Sequence, residues 1–332
     1  MNDDQATLQD GVDEAHRLMT LAAAMGFPIR FFGGIAIYLQ VPTWTVRRGK
    51  PRKDIDFVVR GQNTAHVASM MERAGYTPDL QQNTMYGHKQ LYFVDEATGR
   101  PVDVIVDRLE MCHALDLADR LEVAELTLPL ADLMLSKLQI VKCDRKDLLD
   151  VIALLCEHPL TSDDSGISVP RITDLLSADW GWWRTTTGNL SACESVLSSI
   201  SPSELDFGRP PSFNPVSQIR QLQESIERAP KKLKWKLRAK VGEHAIWYEE
   251  PEEVAHLPAC YRGVGSVDRG ANGKKASSAR KVRGARPMRR HRPRLMSLAA
   301  GPWWWRSRVR RRCGGCLNYI YQYCAYWSHY TT

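Results

Sequence analysis

Two aspartates lie one residue apart in an otherwise apolar stretch of the sequence. Asp54 and Asp56 belong to DIDFVV, which has the alternation of a β-strand. Residues two apart in a strand project from the same face, so both carboxylates should lie together while Ile55 and Phe57 pack on the opposite face. Neighbouring carboxylates in a half-buried position repel each other unless a cation lies between them. The pair therefore predicts a divalent metal site.

A third carboxylate follows in a second apolar segment. Asp103 lies in VDVIV, on a strand that we expect beside the first, in a hairpin whose turn is EATG. Ligands that offer only oxygen favour Mg²⁺ or Mn²⁺ over zinc. Asp54, Asp56 and Asp103 are therefore the candidate metal ligands.

Paired glycines precede these carboxylates. Gly33 and Gly34 follow the predicted strand IRFF and lead into the predicted helix IAIYLQV. Glycine lets a ligand approach the main chain closely, and the free N–H groups at a helix start attract phosphate. An anion site next to a metal site suits transfer of a nucleotidyl group, in which metal ions neutralise the triphosphate and stabilise the leaving pyrophosphate.

In this order, the glycine turn, the helix, the D-x-D strand and the later strand aspartate resemble the polymerase-β-like nucleotidyltransferase superfamily. The segment LPLADLMLSKLQIVKCDRKDLLDVIALL also resembles AbiEii-type nucleotidyltransferases, so that the resemblance covers roughly residues 20–160. It implies metal binding by Asp54 and Asp56, a metal or base role for Asp103, and contact of Lys137 with nucleotide phosphate. The matching charged residues after Lys137 are Arg145, Lys146, Asp147 and Asp150. One departure is the 19-residue separation of Gly34 from Asp54, which includes the basic run RRGKPRK.

The resemblance implies an Mg²⁺-dependent enzyme that moves NMP from an NTP to an acceptor. The expected acceptor is the end of an RNA such as tRNA, in a toxin-like role with an antitoxin protein as a partner. One alternative is antibiotic-type modification of a small hydroxylated molecule. Another is a nonenzymatic RNA-binding protein on an inactive nucleotidyltransferase scaffold, against which the three clustered aspartates argue.

These 332 residues are expected to form an α+β protein of several parts. We predict a nucleotidyltransferase-like mixed sheet with helices over residues 1–110 and an all-helical domain over 111–229. Residues 230–256 should form a basic strand or hairpin, because LKWKLRAKV alternates strictly and AIWYEE could pair with it. The strand would place its cations on one face: Lys234, Lys236, Arg238 and Lys240.

Positive charge is concentrated in residues 257–332, which hold 17 Lys and Arg residues and one acidic residue. This low-complexity tail is predicted to be disordered, since its composition does not support a core. It could be an arm that binds nucleic acid, a non-native product of the wrong reading frame, or a small zinc module. The zinc ligands would be Cys313, Cys316, Cys324 and His329.

The remaining features suggest a cytoplasmic body. No run of about 18 apolar residues occurs, and the first ten residues are acidic, unlike a secretory signal. Three cysteines in predicted apolar helices should be reduced, buried thiols: Cys112, Cys143 and Cys156. A tryptophan cluster, comprising Trp180, Trp182 and Trp183, is expected in the core or at an interface.

Overall fold

The computed structural model describes residues 10–45, 54–201 and 210–250. The basic run 47–53, the tail 257–332 and the candidate zinc ligands in that tail lie outside these ranges, so their predictions stay predictions. The described residues belong to one compact unit. They do not test the predicted domain boundary near residue 110.

The predicted α+β class is confirmed: a mixed sheet comes first and a mainly helical part follows. The sheet strands are β1 Arg30–Phe32, β2 Ile55–Val59, β3 Thr77–Pro78, β4 Gln90–Asp95 and β5 Arg100–Val106. Their order across the sheet is β1-β2-β5-β4-β3. β2 and β5 are parallel and every other neighbouring pair is antiparallel. The predicted hairpin therefore corresponds to β4 and β5.

Helices surround this sheet and form most of the later chain. Those around the sheet are α1 Gly11–Ala24, α2 Gly33–Gln40, α3 Pro42–Thr45, α4 Thr64–Arg73 and α5 Leu80–Tyr86. The later ones are α6 Leu130–Leu138, α7 Arg145–Glu157, α8 Val169–Ala178, α9 Trp180–Ser199, α10 Pro215–Arg228 and α11 Leu233–Ala239. Two short strand pairs that the pattern did not predict interrupt the helices: β6 Arg108–Glu110 with β7 Ala114–Asp116, and β8 Leu160–Thr161 with β9 Ile167–Ser168. None of the described helices combines the length and apolar character needed to cross a bilayer.

The first half of the sheet is tied to the helical part through the edge of β1. The main chain of Phe31 accepts a hydrogen bond from the N–H of Leu128 and donates to the carbonyl of Leu126, at 2.9 and 3.1 Å. This pairing covers the outer edge of β1 and leads directly into α6. Every residue of α6 from Ala131 to Leu138 is buried. α6 is therefore a central helix that packs against α2, α7, α8 and α9.

The predicted basic strand is wrong, because LKWKLRA forms helix α11. Its residues include strong helix formers (Leu, Lys, Arg and Ala), and no β-branched residue occurs before Val241. Alternation over so few residues does not separate a strand from a helix. Residues 245–250, the expected partner strand, form no strand either. In the helix the cations no longer share one face: Lys234 and Arg238 are four residues apart on one side, and Lys236 and Lys240 lie on another.

The thiols agree with expectation only in part, because Cys112 and Cys143 lie outside the helices in which they were predicted. Cys112, Cys156 and Cys193 are buried, Cys143 is half-buried, and all four thiols are free. Trp180 and Trp182 are also buried.

Candidate functional site

The predicted carboxylates of Asp56 and Asp103 are brought together by the sheet. β2 and β5 run parallel, and the Cα atoms of these two residues are direct partners in the register. Neighbouring strands lie about 4.8 Å apart, and register partners project from the same face. Both aspartates are half-buried. Two carboxylates therefore lie side by side on one face of the sheet.

The alternation of the two strands explains this placement. Phe57 in β2 and Val104 in β5 are partners in the next register position, and both are fully buried. Because successive side chains point to opposite faces, burial of these residues in the core turns Asp56 and Asp103 to the other face. The predicted adjacency of the two strands is thus confirmed.

Gly33 places its main chain directly against the first of these carboxylates. Phe32, the last residue of β1, is the register partner of Asp56. Gly33 follows with φ +66°, and a Cβ at this position would overlap Oδ2 of Asp56 and lie 3.1 Å from its Cγ. Both the backbone conformation and the missing side chain therefore require glycine here. Gly34 is the buried second residue of the same helix.

The start of α2 adds hydrogen-bond donors to this corner of the sheet. The helix begins at Gly33, and no side chain caps its N-terminus. The first N–H groups of a helix lack partners within it, and the helix dipole makes this end favourable for anions. A helix start that is electrostatically favourable for anions therefore lies next to the Asp56 carboxylate.

Gln90 is a part of the site that sequence reasoning missed. Its Nε2 donates a hydrogen bond of 2.5 Å to Oδ1 of Asp103. In the antiparallel hairpin, Asp103 is opposite Tyr92, so Gln90 is its diagonal neighbour two residues away. The EATG turn fixes the register of the hairpin, and that register would have identified Gln90 as a neighbour of Asp103. The bond fixes the orientation of the Asp103 carboxylate.

Asp54 differs from the other two aspartates. It lies immediately before β2 rather than in it, and it is exposed. Within the ranges that the structure describes, no group of three or more His, Cys, Asp or Glu side chains is arranged to hold a metal ion. The geometry therefore brings together two of the three predicted ligands.

Lys137 lies in a buried ion-pair cluster between α6 and α7. Its Nζ donates to Oδ1 of Asp147 and lies 3.3 Å from Oδ2 of Asp150. Asp150 is fully buried, and the Lys137 side chain is 9% exposed. One ammonium group therefore faces two carboxylates, and contact with a phosphate would require rearrangement of this cluster. Phosphate binding by Lys137 stays a prediction.

The start of α7 carries the other predicted charges. Asp144 caps the helix, because its Oδ1 accepts a hydrogen bond of 2.8 Å from the N–H of Asp147. Arg145 and Lys146 are exposed in the first turn, and Nζ of Lys146 lies 4.0 Å from Oδ2 of Asp144. Nearby, burial and then the charge of Asp147 raise the pKa of Cys143 to about 12. Burial therefore favours the protonated form of this thiol at neutral pH.

Comparison with known proteins adds little to this geometry. No family model matches the chain, and no curated protein matches it either. Among solved structures, the chain is similar to the antibiotic-resistance factor ANT(2'')-Ia, studied in solution. The two are 13% identical over 43% of this chain and 80% of the other, with a TM-score of 0.30. A likeness of this size does not identify a substrate or a catalytic residue.

Proposed function

We propose that this protein is a nucleotidyltransferase that moves NMP from an NTP to an acceptor and releases pyrophosphate. The observation that supports this most is the direct register of Asp56 and Asp103 on parallel strands, with the start of α2 against Asp56. A carboxylate pair beside an anion-binding helix start is the combination that a triphosphate and its counter-ions require.

The donor set fits Mg²⁺ or Mn²⁺. Both side chains offer carboxylate oxygens, and Mg²⁺ is usually held by one or two protein carboxylates together with substrate phosphates. Asp56 and Asp103 would hold the ion, and we keep Asp54 as a third ligand within this proposal. When bound, Mg²⁺ would neutralise charge on the triphosphate and on the pyrophosphate that leaves.

The residues of the chain would each have a separate task. The main chain of Gly33 leaves room for the Asp56 carboxylate, and the first N–H groups of α2 would bind phosphate. Gln90 keeps the Asp103 carboxylate in one orientation. In that position Asp103 would accept the proton of the attacking hydroxyl, as a general base does.

For the acceptor, we propose the end of an RNA such as tRNA, in a toxin-like role that an antitoxin protein would restrain. The supporting observation is the high density of Lys and Arg in residues 257–332, because clustered cations bind nucleic-acid phosphates. A small hydroxylated molecule is the alternative acceptor.

One incubation separates these possibilities. The full chain is mixed with each α-labelled NTP in turn, Mg²⁺, total cellular RNA and a small-metabolite extract. Label in RNA supports the RNA acceptor, and label in small molecules supports the alternative. Absence of label from both would favour the nonenzymatic RNA-binding protein and contradict the proposal.

Two substitutions connect the activity to the site. Asp56→Asn and Asp103→Asn each remove charge while keeping side-chain volume, so we expect transfer to fall about 100-fold to 1000-fold. Asp174→Asn is the matched control, since Asp174 is an exposed carboxylate on α8, and it should retain activity. Wild-type turnover by both site variants at saturating Mg²⁺ would remove these aspartates from the active site.

A further inference from the structure

A cavity of about 810 Å³ lies outside the carboxylate site and the Lys137 cluster. Its walls are the β6–β7 hairpin, the end of α8, the first turn of α9, helix α11 and the segment 246–249. None of the predicted site residues lines it. The volume is within the usual range for small-molecule sites, about 300–1000 Å³. We call it the tryptophan cavity, because four of its lining residues are Trp180, Trp182, Trp235 and Trp247.

Aromatic rings on one wall are held in fixed orientations. The Trp247 ring meets the buried Trp180 ring edge-on, with centroids 6.1 Å apart, and the Tyr248 ring in the same manner at 5.4 Å. Nε1 of Trp247 donates a hydrogen bond of 3.1 Å to Oγ1 of Thr185. Trp247 and Tyr248 are partly exposed. They therefore offer aromatic surface that needs little further ordering to bind a flat ligand.

Helix α11 supplies the opposite wall. The Trp235 ring packs edge-on against Trp183 at 5.3 Å and is also partly exposed. Lys234 and Arg238, four residues apart on the helix, both line the cavity, whereas Lys236 does not. The helix thus combines an aromatic ring with two cations at one face.

Most of the negative charge around the cavity is already compensated. Glu110 accepts a hydrogen bond of 2.6 Å from Nζ of Lys89 and also faces Arg108. The Asp179 carboxylate caps α9 by accepting from two main-chain N–H groups, at 2.8 and 3.1 Å. Glu249 is exposed and, among the described residues, has no cationic partner. It is the one lining carboxylate without such compensation.

Two cations remain without a carboxylate. No described carboxylate forms an ion pair with Lys234. The guanidinium of Arg238 lies 4.7 Å from the centre of the Trp180 ring, and it donates to the carbonyls of Gly242 and Ala245. These contacts hold the guanidinium in place without neutralising it. The uncompensated charge is therefore positive, which favours an anionic ligand.

His113, a buried residue that lines the cavity, adds no further charge at neutral pH. Its Nε2 lies 2.8 Å from Oγ1 of Thr185. Burial lowers the pKa of His113 to about 4. The imidazole is therefore neutral at pH 7, and the choice of ligand depends on the rings and on Lys234 and Arg238.

We propose that the tryptophan cavity binds a nucleoside phosphate, with the base against Tyr248 and the phosphate at Lys234. Cations already lie over the other two partly exposed rings, Arg184 over Trp247 and Lys231 over Trp235. Every base has a flat face that can stack on aromatic side chains, and Lys is a common phosphate ligand. The same chemistry is offered by a free nucleotide and by the terminal nucleotide of a single strand. The proposal does not depend on transferase activity. Its connection to the carboxylate site is that Lys89, on the cavity wall, directly precedes Gln90 in β4.

The test is calorimetric titration of the full chain with AMP in EDTA, which removes metal-dependent binding at the carboxylates. We expect Lys234→Gln to weaken AMP binding about tenfold through the lost charged contact. Lys236→Gln is the matched control, because Lys236 lies on the same helix but outside the cavity, and it should change affinity less than about twofold. Both lysines are exposed, so neither variant should unfold.

A second pair of variants tests the aromatic wall. Tyr248→Leu should weaken AMP binding about tenfold through lost stacking. Tyr86→Leu, at the partly exposed end of α5, should leave it unchanged. Ribose phosphate, which has no base, should bind more weakly than AMP and should be insensitive to Tyr248→Leu.

The two sources are separated by a trinucleotide, whose affinity for wild type is compared with its affinity for each variant at one salt concentration. The contribution of the basic tail is the same in all of them and therefore cancels. If Lys234→Gln and Tyr248→Leu weaken the binding of AMP but not of the trinucleotide, the cavity binds a free nucleotide. If the same substitutions weaken the binding of the trinucleotide, the cavity binds the end of a strand. The proposal is overturned if each probe binds wild type and every variant with the same affinity. Undetectable binding of both probes, or tighter binding of a ringless polyamine that depends on Glu249, also overturns it.

Discussion

Replacing Gly33 by alanine should strongly reduce transfer while leaving the fold in place. At φ +66° an alanine is in the left-handed region, which costs about 1–2 kcal/mol. Its Cβ would also overlap Oδ2 of Asp56, so the carboxylate must move by on the order of 1 Å to restore ordinary contact. A misplacement of that size at a reacting group can cost about 100-fold in rate. We therefore expect transfer to fall by about 100-fold or more.

Gly99 provides the matched control for this experiment. It has φ +67° in the turn between β4 and β5, and a Cβ there would meet nothing within 4 Å. Gly99→Ala therefore includes the backbone strain without displacing a carboxylate. Urea unfolding should show a loss of about 1 kcal/mol for Gly99→Ala and somewhat more for Gly33→Ala.

Activity is measured with the labelled-NTP assay under conditions where both variants are folded. Gly99→Ala should retain wild-type transfer, because only its stability changes. The reasoning fails if Gly33→Ala is folded and transfers label at the rate of Gly99→Ala. That result would mean that the contact between Gly33 and Asp56 does not position a catalytic group.

Two further predictions concern buried titratable groups. Lys137→Met should lower the free energy of unfolding by about 3–5 kcal/mol, because it removes the ammonium group that faces the buried carboxylates of Asp147 and Asp150. Urea unfolding measures this loss, and a variant of unchanged stability with a raised KM for NTP would instead assign Lys137 to phosphate binding. For His113, burial lowers the folded pKa to about 4, below the ordinary value of 6.5. Its contribution to stability should therefore be complete above pH 6.5 and fall by up to about 3 kcal/mol as the pH falls to 4. Unfolding measured across this range should show a smaller pH dependence for His113→Gln, and an equal dependence would contradict the assignment.

The strands that carry Asp56 and Asp103 were predictable because their signals are local, although the predicted pair was Asp54 with Asp56. Alternation in DIDFVV and VDVIV identifies two strands and the face of each aspartate, and the EATG turn identifies the hairpin. Gly33 was predicted to allow a ligand near the main chain. The structure adds that the adjacent group of the protein itself, the Asp56 carboxylate, already requires glycine.

Features that depend on distant parts of the chain were not predicted. Lys137 and Asp147 pair because α6 and α7 pack together after a short connection, and the sequence pattern shows charges but not their partners. The tryptophan cavity combines residues from four separate parts of the chain: Lys89 and the segments 108–114, 175–182 and 234–249. The wrong strand prediction at α11 has a different cause. The short run LKWKLRA fits both the two-residue period of a strand and the period of a helix, and its intrinsic helix propensity predicts the observed helix.

Helix α2 connects the carboxylate site with the buried Lys137 cluster. It begins at the Asp56 carboxylate, and it packs against both α6 and α7, which carry Lys137 and its carboxylate partners. Two unusual charge arrangements lie near this helix. Two carboxylates lie side by side at its start, and a buried ion-pair cluster lies between the helices that it contacts. Departures from local consistency are expected at functional sites, where the surrounding fold must compensate for them. α6 and α7 pack against α2, and a phosphate bound at the start of α2 would contact that same helix. The stability of the Lys137 cluster and the geometry at Asp56 should therefore depend on each other.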